Sequence, residues 1–206
     1  MLSAFLTGFF LGLSLIVAIG AQNSFVLRQG ILGQHVFYVA LFCALSDALL
    51  IGIGVAGISF FLNNIINQIS SILFGFSGLW LAGYGILRLK AIFKTNTMIE
   101  IESSKSQGLI STISIAAILT FANPHVYLDT MVLIGSISQQ FYGYYRIAFA
   151  LGACLASFVF FFSLAYGAKL LEPIMQRPSS WRILDGLIAL IMFTIAFKLA
   201  SAANWL

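Results

Sequence analysis

Two aspartates lie inside long apolar stretches of the sequence, where an ionised side chain is costly. Asp47 is near the middle of the stretch 36–62, and Asp129 is within 109–137. A carboxylate at the centre of a membrane span costs roughly 2.5–3.5 kcal/mol and usually faces the bundle interior or a water-filled cavity. Few cations lie nearby, and Arg28 is placed at an interface. The pair is predicted to bind a proton or a positively charged group. The alternative is two protonated carboxyls hydrogen-bonded between helices.

Two apolar stretches also contain a polar interruption. One is Gly20-Ala21-Gln22-Asn23, and the other is Phe121-Ala122-Asn123-Pro124. Proline removes a backbone donor and frees a carbonyl one turn earlier, and such a break is tolerated where the backbone lines a cavity. Freed N–H groups at the positive end of a half-helix can hold an anion such as a carboxylate. The alternative is a simple structural kink. The residues predicted to shape a central site are Gln22, Asn23, Asn123 and Pro124.

His125 and Tyr127 follow the proline directly. As a histidine, His125 could relay protons, although a buried, hydrogen-bonded neutral histidine fits its position equally well. Tyr127 could donate a hydrogen bond to a substrate or simply pack. Paired carboxylates beside a helix break suit a zwitterion with a cationic side chain. The carboxylates would meet an ammonium or guanidinium group, and the amides would meet an α-carboxylate.

The elements that must position these residues are membrane helices. The chain has 206 residues, of which 61% are hydrophobic and 8% are charged. Soluble domains carry about 25% charged residues, so this chain is predicted to be an all-α integral membrane protein. A span needs about 20 mostly apolar residues. The predicted spans are 2–21, 36–62, 65–89, 109–137, 146–171 and 183–203.

The two halves of the chain resemble each other. The polar stretch 90–107 divides a single membrane domain, 1–206, into repeats at about 1–94 and 107–206. Small residues and a terminal glycine fall in register between Val39–Gly57 and Phe149–Gly167. Because a repeat of three helices is odd, the second copy must be inverted in the membrane, as in many secondary transporters. The alternative is chance similarity between helices rich in Leu, Ala and Gly.

The distribution of Lys and Arg predicts the orientation. The basic residues of the loops on one side are Arg28, Arg88, Lys90, Lys94, Lys105, Lys169, Arg177 and Arg182. This bias predicts a multi-pass protein of the bacterial inner membrane with both termini outside. The net charge of +4 is explained by topology, so no nucleic-acid partner is predicted.

Several function classes fit the sequence poorly. Gly75-Phe76-Ser77-Gly78 matches the short GxSG pattern of intramembrane serine proteases, but Gly/Ser pairs are common in packed membrane helices, so no enzyme is predicted. Cys43 and Cys154 form no CxxC or Cys/His cluster, so neither a disulfide framework nor a metal or other cofactor is predicted. The thin set of Asp and His ligands makes a metal-cation exporter an alternative only.

Three motifs together resemble the LysE family of basic amino-acid exporters. They are Gly20–Gly30 (GAQNSFVLRQG), Ala44–Asp47 (ALSD) and Asn123–Thr130 (NPHVYLDT), and the resemblance covers essentially the whole chain. The NPHVYLDT run resembles the lysine/arginine branch, whereas exporters of neutral amino acids usually follow Asn-Pro differently. The resemblance implies an inner-membrane exporter of arginine and lysine, with Asp47 and Asp129 as functional acidic positions. A neutral amino-acid exporter of the same fold is the alternative.

The energy source follows from charge. No GxxxxGK[ST] motif occurs, so the chain itself carries no P-loop. Export of one positive charge against an inside-negative potential costs about 2.3 kcal/mol per 100 mV, so it needs coupling, a partner ATPase or a steep outward gradient. Proton antiport is the economical hypothesis, with an Asp that alternately binds a proton and the cationic substrate. The many small residues also permit a homodimer in the lipid bilayer.

Overall fold

The computed structural model is helical throughout the part of the chain that it describes. The described residues are 1–17, 20–58, 75–76, 78–87, 89–90, 92, 108–121, 123–171, 173 and 178–202. The predicted span 65–89 lies partly outside these ranges, and most of the polar stretch 90–107 lies outside them. Ser77 of the GxSG pattern lies outside them as well. Both cysteines are free thiols.

Eight helices are named here in chain order. They are α1 (Leu2–Ile16), α2 (Ala21–Leu32), α3 (Val36–Ile53, continued by the π-helical Gly54–Ile58), α4 (Gly78–Leu87), α5 (Leu109–Phe121), α6 (Pro124–Tyr127, the π-helical Leu128–Leu133 and Ile134–Ser138), α7 (Tyr144–Gly167, continued by the 3₁₀ turn Ala168–Leu171) and α8 (Pro178–Ala202).

Two described helices are long and apolar enough to cross a membrane by themselves. These are α3, over Val36–Ala56, and α7, over Tyr144–Leu171. Two further spans are possible if each bent pair counts as one: α1 with α2, bent by 83°, and α5 with α6, bent by 65°. Both bends coincide with the predicted polar interruptions. A bent pair, a long helix and one further described helix therefore follow one another in each half. The inverted relation of the two halves stays a prediction.

The segment after the first predicted span is a helix and not the loop that the sequence predicted. Residues that follow Ala21 were expected to form a loop carrying Arg28, but they form the 12-residue helix α2. Most of α2 is buried, including Gln22, Asn23 and Gln29. Gly30 allows the close approach that buries it, because a Cβ there would overlap the carbonyl oxygen of Ala165. The polar composition that indicated a loop belongs to a helix inside the bundle.

Small residues bring α1 and α7 together. Ala4, Gly8 and Gly12 recur every four residues, so they form one stripe along α1. A Cβ at Gly8 would overlap the carbonyl oxygen of Phe149, and one at Gly152 would overlap that of Phe5. Helices in lipid gain little from burying apolar surface, so close backbone packing through small residues is what holds such a crossing.

The long helix α3 carries a serine and an aspartate on its buried face and leucines on its exposed face. Ser46 and Asp47 are buried, whereas Leu45 and Leu49 are more than half exposed. A helix in water would show the reverse arrangement. Exposed leucines suit a lipid surrounding, whereas the buried aspartate lies within the helix bundle.

Two π-helical segments meet next to the buried aspartates. The segment Gly54–Ile58 ends α3, and Leu128–Leu133 forms the middle of α6. A Cβ at Gly54 would lie 2.6 Å from the carbonyl oxygen of Met131, and one at Gly135 would lie 2.8 Å from that of Gly54. The two helices thus touch backbone to backbone. Short π-helical segments inside α-helices are frequent at functional sites.

Candidate functional site

Residues of the two helix breaks and the two aspartates, Asp47 and Asp129, line one cavity. Its volume is about 70 Å³. Six of the eight predicted site residues line it, and their list is Gln22, Asn23, Asp47, Asn123, His125 and Asp129. Tyr127 is not among the lining residues. Residues that are distant in sequence therefore meet at one place, although this placement by itself assigns no role to them.

Asp47 is the more deeply buried of the two aspartates. Its residue is only 3% exposed and sits in the middle of α3. The hydroxyl of Ser157, on α7, donates a hydrogen bond to its Oδ2 over 3.4 Å. This contact fixes the carboxyl from the neighbouring helix but is long for an O–H···O bond. Asp47 therefore keeps capacity to accept further hydrogen bonds or to bind a cation.

Asp129 lies in the π-helical part of α6, one turn beyond the helix break. Its Oδ2 is 3.4 Å from Nε2 of His125, and both side chains are partly exposed. The other ring nitrogen of the histidine, Nδ1, is buried and has no hydrogen-bond partner within the described residues. A histidine held beside a carboxylate can share or pass on a proton.

The cavity contains two carboxyl groups, and no lysine or arginine is among its described lining residues. Within the described ranges, no Lys or Arg side chain forms an ion pair with Asp47 or Asp129. No group of three or more His, Cys, Asp or Glu side chains in the described residues could hold a metal ion. An uncompensated carboxylate in an apolar interior is costly, so the buried Asp47 calls for a proton or a ligand cation.

A side-chain hydrogen bond bridges the first break. Nδ2 of Asn23 donates to the carbonyl oxygen of Ile16 over 2.7 Å, so it ties the start of α2 to the end of α1. Gly20 precedes α2 as its N-cap, and no side chain caps the first turn. Gln22, in that first turn, is 6% exposed, and its Nε2 has no hydrogen-bond partner in the described structure.

The second break is closed by its own residues. Pro124 is the first residue of α6, where its missing N–H is not needed. Oδ1 of Asn123 accepts a hydrogen bond from the backbone N–H of His125 over 3.1 Å, as an N-cap does. The hydroxyl of Tyr127 donates to the carbonyl oxygen of Phe121 over 2.8 Å and so closes the end of α5. The open donors expected at this Asn-Pro pair are therefore already used.

Sequence interpretation missed several residues around the cavity. Ser157 contacts Asp47, and Thr130 lines the cavity beside Asp129. The apolar part of the lining is Leu15, Ile16, Leu81, Val126, Ile134, Phe161 and Ile195. A serine among the phenylalanines of α7 gives no distinct signal, because small hydroxyl residues are common in membrane helices. The threonine follows Asp129 directly, so proximity in sequence could have indicated it.

Comparison with known proteins gives this arrangement a family. The family described as LysE type translocator matches residues 13–203. The chain belongs to this family. The resemblance of the three motifs is thereby confirmed, and the match takes in both helix breaks and both buried aspartates. LysE type translocators are transport proteins, in agreement with the bundle of apolar helices, so the chain is a membrane protein of a transporter family.

Named relatives match the chain along nearly its whole length. "Putative amino-acid transporter YggA" of Aeromonas salmonicida is 41% identical over 98% of both chains. The arginine exporter protein ArgO of Pectobacterium carotovorum is 39% identical over 97% of this chain and 98% of its own. The ArgO of Photorhabdus laumondii is also 39% identical, over 97% and 96%. No solved structure matches the chain.

Proposed function

We propose that this LysE type translocator exports basic amino acids, arginine and/or lysine, from the cytoplasm. The observation that carries the proposal is the cavity where α3 and α6 each contribute one aspartate with no lysine or arginine partner among the described residues. Relatives that match the whole chain are named arginine exporters, which supports arginine as a substrate. Lysine is proposed on the same chemistry, because an ammonium group also pairs with carboxylates.

The two aspartates would bind the cationic end of the substrate or a coupling proton. A guanidinium group presents paired donors that match a carboxylate, and an ammonium group presents three. Asp47 and Asp129 come from different helices, so a bound cation would connect α3 to α6. The surrounding residues Gln22, Asn23, Asn123, Pro124, His125 and Tyr127 would shape the site, directly or by holding the two breaks.

Proton antiport is the proposed energy source. When the substrate leaves, an ionised aspartate would remain in an apolar cavity, which is costly. A proton from outside would neutralise it and would be released inside when the next substrate binds. Each cycle would then exchange positive charge for positive charge. This exchange avoids the cost of about 2.3 kcal/mol per 100 mV for moving one uncompensated charge.

Transport also requires the cavity to change size. Its volume of about 70 Å³ is small beside the roughly 300–1,000 Å³ of typical ligand pockets. We infer that the walls separate when a substrate enters. The bent pairs suit this motion, since half-helices can tilt at a break, and inverted repeats commonly alternate access by rocking. The proposed setting is the inner membrane with both termini outside, as monomer or homodimer.

Efflux from cells tests the proposal. Cells that express the protein are preloaded with radiolabelled arginine, and release is followed with and without a protonophore. Asp47→Asn and Asp129→Asn keep side-chain size but cannot ionise, so we expect efflux to fall at least about tenfold, the loss that corresponds to one charge-assisted hydrogen bond. Asp185→Asn, which changes a buried carboxyl on α8 that does not line the cavity, serves as the control variant.

Each outcome separates the alternatives. Efflux that equals that of empty-vector cells, with the protein present in the membrane, would refute arginine and leave lysine to the same assay. Release of neutral amino acids or of a divalent cation instead would favour the corresponding alternative exporter. Efflux that resists the protonophore would refute proton antiport but not export. Normal efflux by either Asn variant would refute the role of that aspartate.

A further inference from the structure

The cavity has one wall of hydrogen-bond donors that the proposed cation chemistry does not use. This wall is the start of α2, where Gly20, Gln22 and Asn23 line the cavity. The helix has 12 residues and no side chain caps its first turn. Helix N-termini carry partial positive charge and present N–H groups, so they suit anions. That feature alone would not identify a ligand site.

A second observation points to a ligand. Gln22 is 6% exposed and lines the cavity, yet its Nε2 has no well-formed hydrogen bond in the described residues; the polar group beside it is the thiol of Cys43, which is a weak acceptor. A buried amide donor without an acceptor is costly, so a native structure rarely keeps one without reason. The adjacent Asn23 differs, because its Nδ2 is already bonded to Ile16. The side-chain donor of Gln22, Nε2, is therefore available to a ligand that carries a hydrogen-bond acceptor.

The first turn of α6, at the other break, does not offer the same donors to an anion. At the start of α6, Pro124 has no N–H, and the N–H of His125 is bonded to Asn123. The backbone N–H of Val126 is bonded to the carbonyl oxygen of Asn123. The two breaks are therefore unequal: the first turn of α6 is closed by its own residues, while that of α2 lacks a side-chain cap.

We propose that Gln22 and the first turn of α2 bind the α-carboxylate of the exported amino acid. This inference rests on the proposed function, which places the cationic end of the same molecule at Asp47 and Asp129. A zwitterion then lies between a donor wall and an acidic wall. Gln22 is the residue that makes the protein select amino acids over amines with the same cationic side chain.

Binding of two ligands to the purified protein tests this assignment. Arginine carries the carboxylate, and agmatine is the same molecule without it. We expect the wild-type protein to bind arginine at least about tenfold more tightly than agmatine, because a hydrogen bond to a charged group is stronger than one between neutral groups. Gln22→Leu should weaken arginine binding by about tenfold or more and leave agmatine within about threefold.

Gln22→Glu is the sharper variant, since it nearly preserves the side chain and replaces the donor by an anion. It should repel the carboxylate and thus reverse the preference, so that agmatine binds more tightly than arginine. The matched control is Gln29→Leu, which changes the same residue type two turns along α2, also buried with an unpartnered side-chain atom but outside the cavity lining. It should leave both affinities within about threefold of wild type.

The possible failures are distinct. Arginine affinity within about threefold of wild type in Gln22→Leu would overturn the assignment, as would an equal loss for arginine and agmatine in Gln22→Glu. A variant that loses arginine binding must keep the wild-type unfolding temperature for the loss to count in favour. If Gln22→Leu unfolds early, Gln22→Glu and the agmatine comparison decide. Wild-type protein that neither binds nor exports arginine would refute the proposed function and this inference with it.

Discussion

Replacement of Gly54 by alanine tests how closely α3 and α6 must approach. The added Cβ would lie 2.6 Å from the carbonyl oxygen of Met131, about 0.9 Å inside the ~3.5 Å at which heavy atoms pack best. Because that oxygen belongs to the backbone of α6, no side-chain rotation relieves the overlap. The helices must separate, and overpacking of this kind costs ~1–3 kcal/mol.

The same helix offers a matched control. Gly52 is exposed, and a Cβ there meets nothing within 4 Å. Both substitutions gain the helical preference of Ala over Gly, about 1 kcal/mol, so their difference isolates the contact with α6. In a protein of this size 1 kcal/mol shifts Tm by about 2–4 °C. On middle values, Gly54→Ala should unfold about 6 °C below Gly52→Ala.

Thermal unfolding of the two purified variants measures this difference, and arginine efflux measures its functional consequence. Met131 lies two residues after Asp129, so a displaced α6 carries the carboxylate with it. Because a 1 Å misplacement at a reacting site can cost about 100-fold, efflux by Gly54→Ala should fall well below that of Gly52→Ala. Equal unfolding temperatures in the two variants would refute the close contact, whatever happens to efflux.

Two smaller perturbations address the supports of the site. Tyr127→Phe removes the donor to the carbonyl of Phe121 and should cost about 0.5–1.5 kcal/mol of stability, seen as a lower Tm; an unchanged Tm would count against that bond. Ser157→Ala should weaken arginine binding by no more than about tenfold, because its bond to Asp47 is long. It should have no further effect once Asp47 is Ala, and equal effects in both backgrounds would contradict the contact.

Local signals in the sequence predicted the parts of the site that depend on backbone chemistry. Gly20 and Pro124 mark the breaks because glycine and proline change what the backbone can do at their own positions. Asp47 and Asp129 stand out because a carboxylate is costly in an apolar stretch wherever the partner helices lie. Gly20, Asp47 and Asp129 line one cavity, and the roles predicted for them stay predictions.

The remaining features depend on tertiary contacts and gave no local signal. The helix α2 reads as a loop because Gln22, Asn23 and Gln29 make it too polar for a span, and packing against α3, α5 and α7 buries it. The capping of His125 by Asn123 is a matter of geometry, so both breaks looked equally open in the sequence. The π-helical segments lie where α3 packs against α6 at Gly54. The periodicity of apolar residues in the sequence does not reveal such a contact.

The crossing of α1 and α7 has a consequence for biosynthesis. The stripe with Gly8 and Gly12 is translated well before the surface that it fits, which lies around Gly152. Until then the first half-helix resides in the bilayer with lipid against its glycines. A ribosome that stops early leaves this seam without its partner, so membrane quality control can distinguish an unfinished chain from a complete one.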